Sequence, residues 1–170
     1  MIAEAGYKGE RIVVLDPADN PQLHAEALVT NDLLQRLGLN AELATTDWGT
    51  VVKRRNMREP VEQGGWSVYN TAVAYYDMAN PATNPFLHAG GVAGVVGWPT
   101  DEKIEALRAA WFSATDDAQR RDLAHQIQQR AFEFVPYIPS GQYVVRRKFR
   151  KDLAGVIDAP IPYLWNIEKR

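Results

Sequence analysis

The side chains that could do chemistry are sparse and scattered. His24, His88 and His125 are the three imidazoles, and no His-x-x-x-His or Glu-adjacent spacing joins them into a metal-ligand set. The chain has no Cys, which removes thiolate ligands, disulfides and a cysteine nucleophile. Ser140-Gly141 follows Pro139 as a turn, and no Gly-x-Ser-x-Gly elbow occurs. Gly91, Gly94 and Gly97 are spaced by threes, but no Gly-Lys-Ser/Thr follows, so a phosphate loop is not expected. The pattern calls for no catalytic residue, no metal and no cofactor. A hydrolase would have to draw an Asp/His pair from distant positions, with Asp47, Asp77 and His88 as its loop-side groups.

Non-covalent capture is better represented. Five Trp and seven Tyr are many for 170 residues. Trp66 follows Gly64-Gly65 and is succeeded by Ser67, Tyr69 and Asn70. At a period of two, Trp66 and Val68 share one face of a strand, and Ser67 and Tyr69 share the other. One face is needed for core packing, and the other can offer rings and amides to a ligand. Two basic clusters, Lys53 to Arg58 and Arg146 to Lys151, read as a solvated helix face and a charged strand end. They are also what a stand-alone interaction module would use, with Arg54 and Arg55 at its centre.

Elements must position these groups. Arg11 to Leu15 is a β-branched apolar run expected to form a strand buried on both faces, closed by turns at Asp16-Pro17 and Asn20-Pro21. A helix over about 21–37 carries Leu23, Ala27, Leu34 and Leu37 at helical spacing and ends at Gly38. Ala41, Leu43 and Thr45 alternate as a second strand, and the β-α-β order predicts a parallel pair. Asp47 is the expected cap of a helix over about 48–58, and 66–73 the third strand. A long Pro- and Gly-rich loop covers about 77–99. Two helices follow, the first capped by Thr100 and the second by Thr115 or Asp116, and Pro136 stops the second. Gly141 to Phe149 reads as a last strand, and the tail with Pro160, Pro162 and Trp165 as extended chain. Ligands of open α/β sheets sit outside the carboxyl ends of the strands. That places Asp47 and Trp48, just past the second strand, and Asn70 to Tyr76, toward the end of the third, near where a ligand would be met.

Composition narrows the classes. Nineteen Lys and Arg against 21 Asp and Glu give a formal charge of −2, which argues against a nucleic-acid partner. A 46% hydrophobic content supports a real core, and no apolar run is long enough to span a membrane. Met1 to Tyr7 does not read as a signal peptide. Ala3, Glu4, Ala5 and Gly6 read instead as the last turn of a helix, as if the chain begins within an element.

The chain resembles the C-terminal lobe of the extracytoplasmic solute-binding proteins of peptide/nickel-type ABC importers, the family 5 dipeptide- and oligopeptide-binding group. The resemblance rests on an ordered set of segments. Ala5-Gly6-Tyr7-x-Gly9-Glu10 comes first, then Leu37-Gly38-Leu39-Asn40-Ala41-Glu42-Leu43 and Asp47-Trp48-Gly49-Thr50. Gly64-Gly65-Trp66, Pro99 to Glu105, and Val135-Pro-Tyr-Ile-Pro139-x-Gly141-Gln142 follow, with Leu153-x-Gly155 and Pro162-x-x-Trp165-Asn166 in the tail.

The resemblance implies an α/β periplasmic-binding-protein-like lobe with a small, largely parallel sheet flanked by helices. It implies one lobe over 1–170, part of a hinged two-lobed receptor about three times larger. Residues 153–170 would return toward the missing N-terminal lobe, and a membrane permease would be the partner. It further implies that Trp66, Ser67, Tyr69 and Asn70 line the cleft. Dipeptide binders of the group hold the ligand amine with an Asp three residues after that Trp, where this chain has Tyr69. They hold the carboxylate with an Arg soon after the first strand, where this chain has Asp16-Pro-Ala-Asp-Asn20. The expected ligand is therefore a longer peptide or an uncharged, ring-stacking solute rather than a zwitterionic dipeptide, in a periplasmic or other extracytoplasmic setting.

Overall fold

The computed structural model describes residues 2, 4–159 and 161–170; the expectations that fall on Ala3 and Pro160 lie outside them. The chain divides into two compact units, Met1–Ala72 and Val73–Arg170.

The first unit is a three-stranded parallel sheet. Strand β1 (Arg11–Pro17) is central, β2 (Asn40–Thr46) lies on one side and β3 (Val68–Tyr69) on the other. Helix α1 (Pro21–Arg36) makes the crossover from β1 to β2, as the β-α-β pattern predicts. Asn20 caps α1 through its side chain, accepting from the Leu23 amide at 3.2 Å. Gly38, with φ +82°, turns the chain out of it. Of the expected apolar stripe, Leu23 and Ala27 are buried, whereas Leu37 is exposed at the end of the helix.

Val13 to Pro17 are buried throughout, so β1 runs two residues past its expected end. Pro17 is tolerated in a central strand for a geometric reason. The Ala18 amide donates to the Thr46 carbonyl on the β2 side, so the position of Pro17's missing N–H faces the β3 side. There β3 has already ended, because its last pair is Leu15 with Tyr69. The odd residues Val13 and Leu15 pack with Val51 of helix α2 (Trp48–Arg54), surrounded by Ala44, Trp48, Val61, Trp66 and Tyr69. On the opposite face Asp16, fully buried, accepts from Thr45 Oγ1 at 2.7 Å and meets His24 Nδ1 of α1 at 2.6 Å. Helices thus cover both faces of the sheet, and the three strand ends share one edge.

Two elements differ from expectation. Helix α2 stops at Arg54 rather than near residue 58, and Asn56 folds back to donate to the Val52 carbonyl at 2.7 Å. Strand β3 is two residues long instead of eight, since Ser67 is in a bend and residues 70–74 leave the ladder.

In the second unit, one helical turn, α3 (Tyr75–Met78), and two 3-10 turns punctuate the Pro/Gly loop. Helices α4 (Glu102–Ser113) and α5 (Asp117–Phe134) pack on each other around Ile104, Leu123 and Ile127. Asp101, not Thr100, caps α4 and accepts from the Ile104 amide at 2.7 Å, while Thr100 bridges to Gly90. Asp101 also pairs with Arg130 of α5, which holds its carboxyl below the usual range. Asp116 caps α5, and Val135 in the left-handed region ends it before Pro136. Residues 141–150 form no strand; all ten are exposed. The strands of the tail are short instead: β4 (Leu153–Ala154) pairs antiparallel with β5 (Glu168–Lys169). Trp165 is exposed, its ring 4.6 Å from that of Tyr163.

Candidate functional site

Four of the six candidate residues follow or end strands at the carboxyl edge of the sheet, and Trp66 and Ser67 lead into β3. Asp47 and Trp48 come straight after β2, and Tyr69 and Asn70 end β3 and follow it. Each has a defined local role. Asp47 accepts from the Thr50 amide at 2.9 Å and its hydroxyl at 2.6 Å. The hydroxyl, then the amide, holds the Asp47 carboxyl below its ordinary value. The Trp48 amide donates to Asp19 Oδ1 at 2.7 Å, joining the chain after β2 to the chain after β1. Ser67 Oγ accepts from the Val13 amide at 3.1 Å, and the Ser67 amide donates to the Val13 carbonyl at 2.9 Å. Ser67 therefore completes the edge of the ladder where β3 has not yet begun. Asn70 Oδ1 accepts from Thr30 Oγ1 of α1 at 3.1 Å.

The aromatic residues gather. Trp66 and Tyr69 meet edge to face, 5.1 Å apart, and both pack against the Val13, Leu15 and Val51 core. Strict alternation had put them on opposite faces. It fails because Trp66 precedes the strand and the bend at Ser67 resets the facing. Burial raises the Tyr69 hydroxyl's pKa, and the charge of Arg55 opposes that rise.

Of the basic cluster from Lys53 to Arg58, Lys53 and Arg58 are exposed as a solvated face requires, but Arg54 and Arg55 are not. Arg54 donates to the carbonyls of Gly64 and Gly65 at 2.8 and 2.9 Å, clamping the turn ahead of Trp66. The Arg55 guanidinium lies 5.9 Å from the Trp48 ring centroid and 5.8 Å from that of Tyr69. Its backbone carbonyl accepts from Trp66 Nε1 at 3.0 Å. Sequence reasoning missed Arg55 as a member of the aromatic cluster. The signal was its place one turn beyond Val51, at the end of a helix whose start touches Trp48.

Among the described residues no group of three or more His, Asp or Glu is placed to hold a metal ion. Among the described residues no helix is long and apolar enough to cross a membrane. Of the residues a hydrolase would need, Asp47 is engaged as a cap, and His88 Nε2 lies 3.8 Å from Glu105 Oε2. The second unit carries an open groove of about 590 Å³ lined by Leu87, Ile127, Phe132 and Tyr137 among others. None of the six candidate residues lines it.

The arrangement offers rings, amides and one cation at a strand-end edge, without a nucleophile and base in contact. Comparison with known proteins agrees with that chemistry. A probable peptide ABC transporter periplasmic-binding protein, y4tO of Sinorhizobium fredii, is 38% identical over 169 residues, 99% of this chain. The chain is a homologue of a periplasmic peptide-binding protein. It spans 32% of that relative's length. No family model matches the chain. Among solved structures, the dipeptide binding protein of Pseudoalteromonas sp. SM9913 in complex with Met-Leu superposes with a TM-score of 0.66 at 19% identity. That match covers 99% of this chain and 34% of the other. The oligopeptide-binding protein AppA of Bacillus subtilis, in complex with a nonapeptide, gives 0.55 at 18% identity, covering 80% and 29%. These likenesses show that the chain has the periplasmic-binding-protein fold. The homologue and both structures are binding proteins by description, and none is described as a hydrolase.

Proposed function

We propose that the chain is the C-terminal lobe of the substrate-binding component of an ABC importer, over residues 1–170, with 153–170 returning toward an N-terminal lobe. The protein captures a solute without bond chemistry, delivers it to a membrane permease, and works in the periplasm or an equivalent extracytoplasmic space. The observation that carries this reading is the 38% identity along the whole chain to a periplasmic peptide-binding protein. The strand-end cluster of Trp48, Trp66 and Tyr69 supports it, because rings and amides at that edge suit non-covalent capture. Asp47, Ser67 and Asn70 shape the same edge. The ligand is a peptide-like solute. Tyr69 stands where dipeptide receptors of the resembling group carry a carboxylate, so an amine clamp of that kind is not used here.

Native mass spectrometry of the freshly purified full-length protein tests the reading. A small solute should co-purify at one per protein and be released unchanged on denaturation. Turnover of added peptides, or no binding of any peptide, opine or sugar in a thermal-shift screen, contradicts it. One lobe offers half of a cleft, so the isolated chain should bind the same solute far more weakly than the whole protein.

A further inference from the structure

We propose that the basic surface formed by Arg146 to Lys151 with Lys169 and Arg170 docks on anionic phospholipid headgroups. The receptor reading above supplies only the membrane that this surface would meet; the recognition follows from the charges and their neighbours.

Two basic runs distant in sequence are joined by the fold. Strands β4 and β5 pair antiparallel, with Leu153 opposite Lys169 and Ala154 opposite Glu168. The Arg170 amide donates to the Asp152 carbonyl at 2.8 Å. Lys169 and Arg170 are thereby held beside the end of the run Arg146-Arg147-Lys148-Phe149-Arg150-Lys151. All of these Lys and Arg residues are exposed, and no Asp or Glu interrupts residues 141–151. The chain as a whole has a formal charge of −2, so this concentration of positive charge is local.

The protein's own acceptors use only part of it. Arg150 pairs with Asp152 at 2.9 Å, and Arg147 donates to the Ala159 carbonyl at 2.6 Å. Among the described residues no Asp or Glu forms an ion pair with Arg146, Lys148 or Lys151. Their donors are open to an outside anion, and phosphate suits both the arginine fork and the lysine ammonium.

The apolar neighbours favour a lipid surface over an acidic protein. Val144, Val145 and Phe149 stand among the cations and are 86%, 68% and 51% exposed. Cations beside exposed apolar side chains are the composition of an interfacial segment: the charges reach the headgroups and the apolar groups enter the acyl boundary. Residues 141–150 form no helix or strand. A fluid membrane brings phosphates to cations wherever they stand, whereas a folded partner must match their positions.

The test is sedimentation of the full-length protein with vesicles of phosphatidylethanolamine and phosphatidylglycerol in equal parts. Vesicles with phosphatidylcholine in place of phosphatidylglycerol are the neutral comparison. The anionic vesicles should be preferred by at least about tenfold. Raising sodium chloride from about 50 to about 500 mM should remove most of that preference, because salt screens exposed charges. Lys148→Gln should weaken binding about fivefold and Lys148→Arg should retain it. The combined variant Arg146→Gln, Lys148→Gln, Lys151→Gln should weaken it about a hundredfold and leave peptide binding unchanged.

Equal binding to the two kinds of vesicle, or undiminished binding by the combined variant, overturns the proposal. So does binding to neither vesicle with salt-sensitive retention on the purified permease that the combined variant loses; the surface then belongs to an acidic protein. Should the combined variant fail to fold, Lys148→Gln and the salt dependence of the wild type decide. Peptide binding is measured separately, so its failure would overturn the receptor reading and leave the lipid surface standing, and the reverse holds.

Discussion

The indole Nε1 of Trp66 donates to the backbone carbonyl of Arg55 at 3.0 Å. One bond thereby fixes the entry to β3 against the end of α2, and it sets where both the ring and the guanidinium stand. Trp66→Phe keeps most of the ring packing and removes the donor, leaving the Arg55 carbonyl unsatisfied. It should cost about 1 kcal/mol in urea unfolding. Trp66→Ala also empties part of the Val13, Leu15 and Val51 core and should cost about 3–5 kcal/mol. Equal losses for the two variants would show that the bond, and not the packing, dominates.

Gly65 is required by space. A Cβ there would lie 1.8 Å from the Glu59 carbonyl oxygen. Gly65→Ala should shift the backbone ahead of Trp66 and destabilise the protein by more than about 3 kcal/mol. Gly38→Ala is the control. It meets nothing within 4 Å but must adopt φ +82°, so its cost should be about 1 kcal/mol. Thermal melts of the two variants check the order.

Asp101 links α4 to α5. Its carboxyl is held down first by its bonds from Arg130, with the Ile104 amide adding to the effect and burial opposing it. A depressed folded pKa contributes stability above the unfolded value near 3.8, and that contribution is lost as pH falls through the folded pKa. Asp101→Asn retains a capping oxygen and loses the ion pair. Its stability should lie below wild type at pH 7 and converge on it as the pH falls well below 3.8. Unfolding by urea at pH 7, 4 and 2.5 measures this, and parallel curves at all three would contradict it.

Asp47 caps α2 from the strand-end edge. Asp47→Asn can still accept from the Thr50 amide, while Asp47→Ala cannot. The alanine variant should cost about 1 kcal/mol and the asparagine variant about half as much or less, by thermal unfolding.

Much of the first unit was legible in the sequence because its signals are local. The apolar run at Val13 to Leu15, the Asn20-Pro21 turn, Gly38 and the alternation at Ala41 to Thr45 each act within a few residues, and β1, α1 and β2 follow from them. The misses share a cause: their outcome is set by partners far along the chain. Helix α2 stops at Arg54, whose side chain reaches Gly64 and Gly65. Strand β3 is short because the Ser67 side chain, and not a strand residue, answers the Val13 amide. Residues 141–150 have strand-forming side chains at Tyr143, Val144, Val145 and Phe149. They pair with no strand among the described residues, and propensity of that kind is realised only against a neighbour. The grouping of Trp48, Trp66, Tyr69 and Arg55 was half visible. The rings stood out by type, but the cation was hidden in a run of three basic residues, Lys53 to Arg55.

The central claim is reversible capture of a peptide-like solute at the Trp48, Trp66 and Tyr69 edge. Calorimetry of the full-length protein against a mixed tetrapeptide library, for wild type, Trp48→Ala and Tyr69→Ala, tests it most directly. The account predicts one binding event per protein, recovery of the peptides intact, and affinity lowered at least about tenfold in each variant that still folds. Unchanged affinity in both folded variants, or peptide cleavage by the wild type, would contradict it.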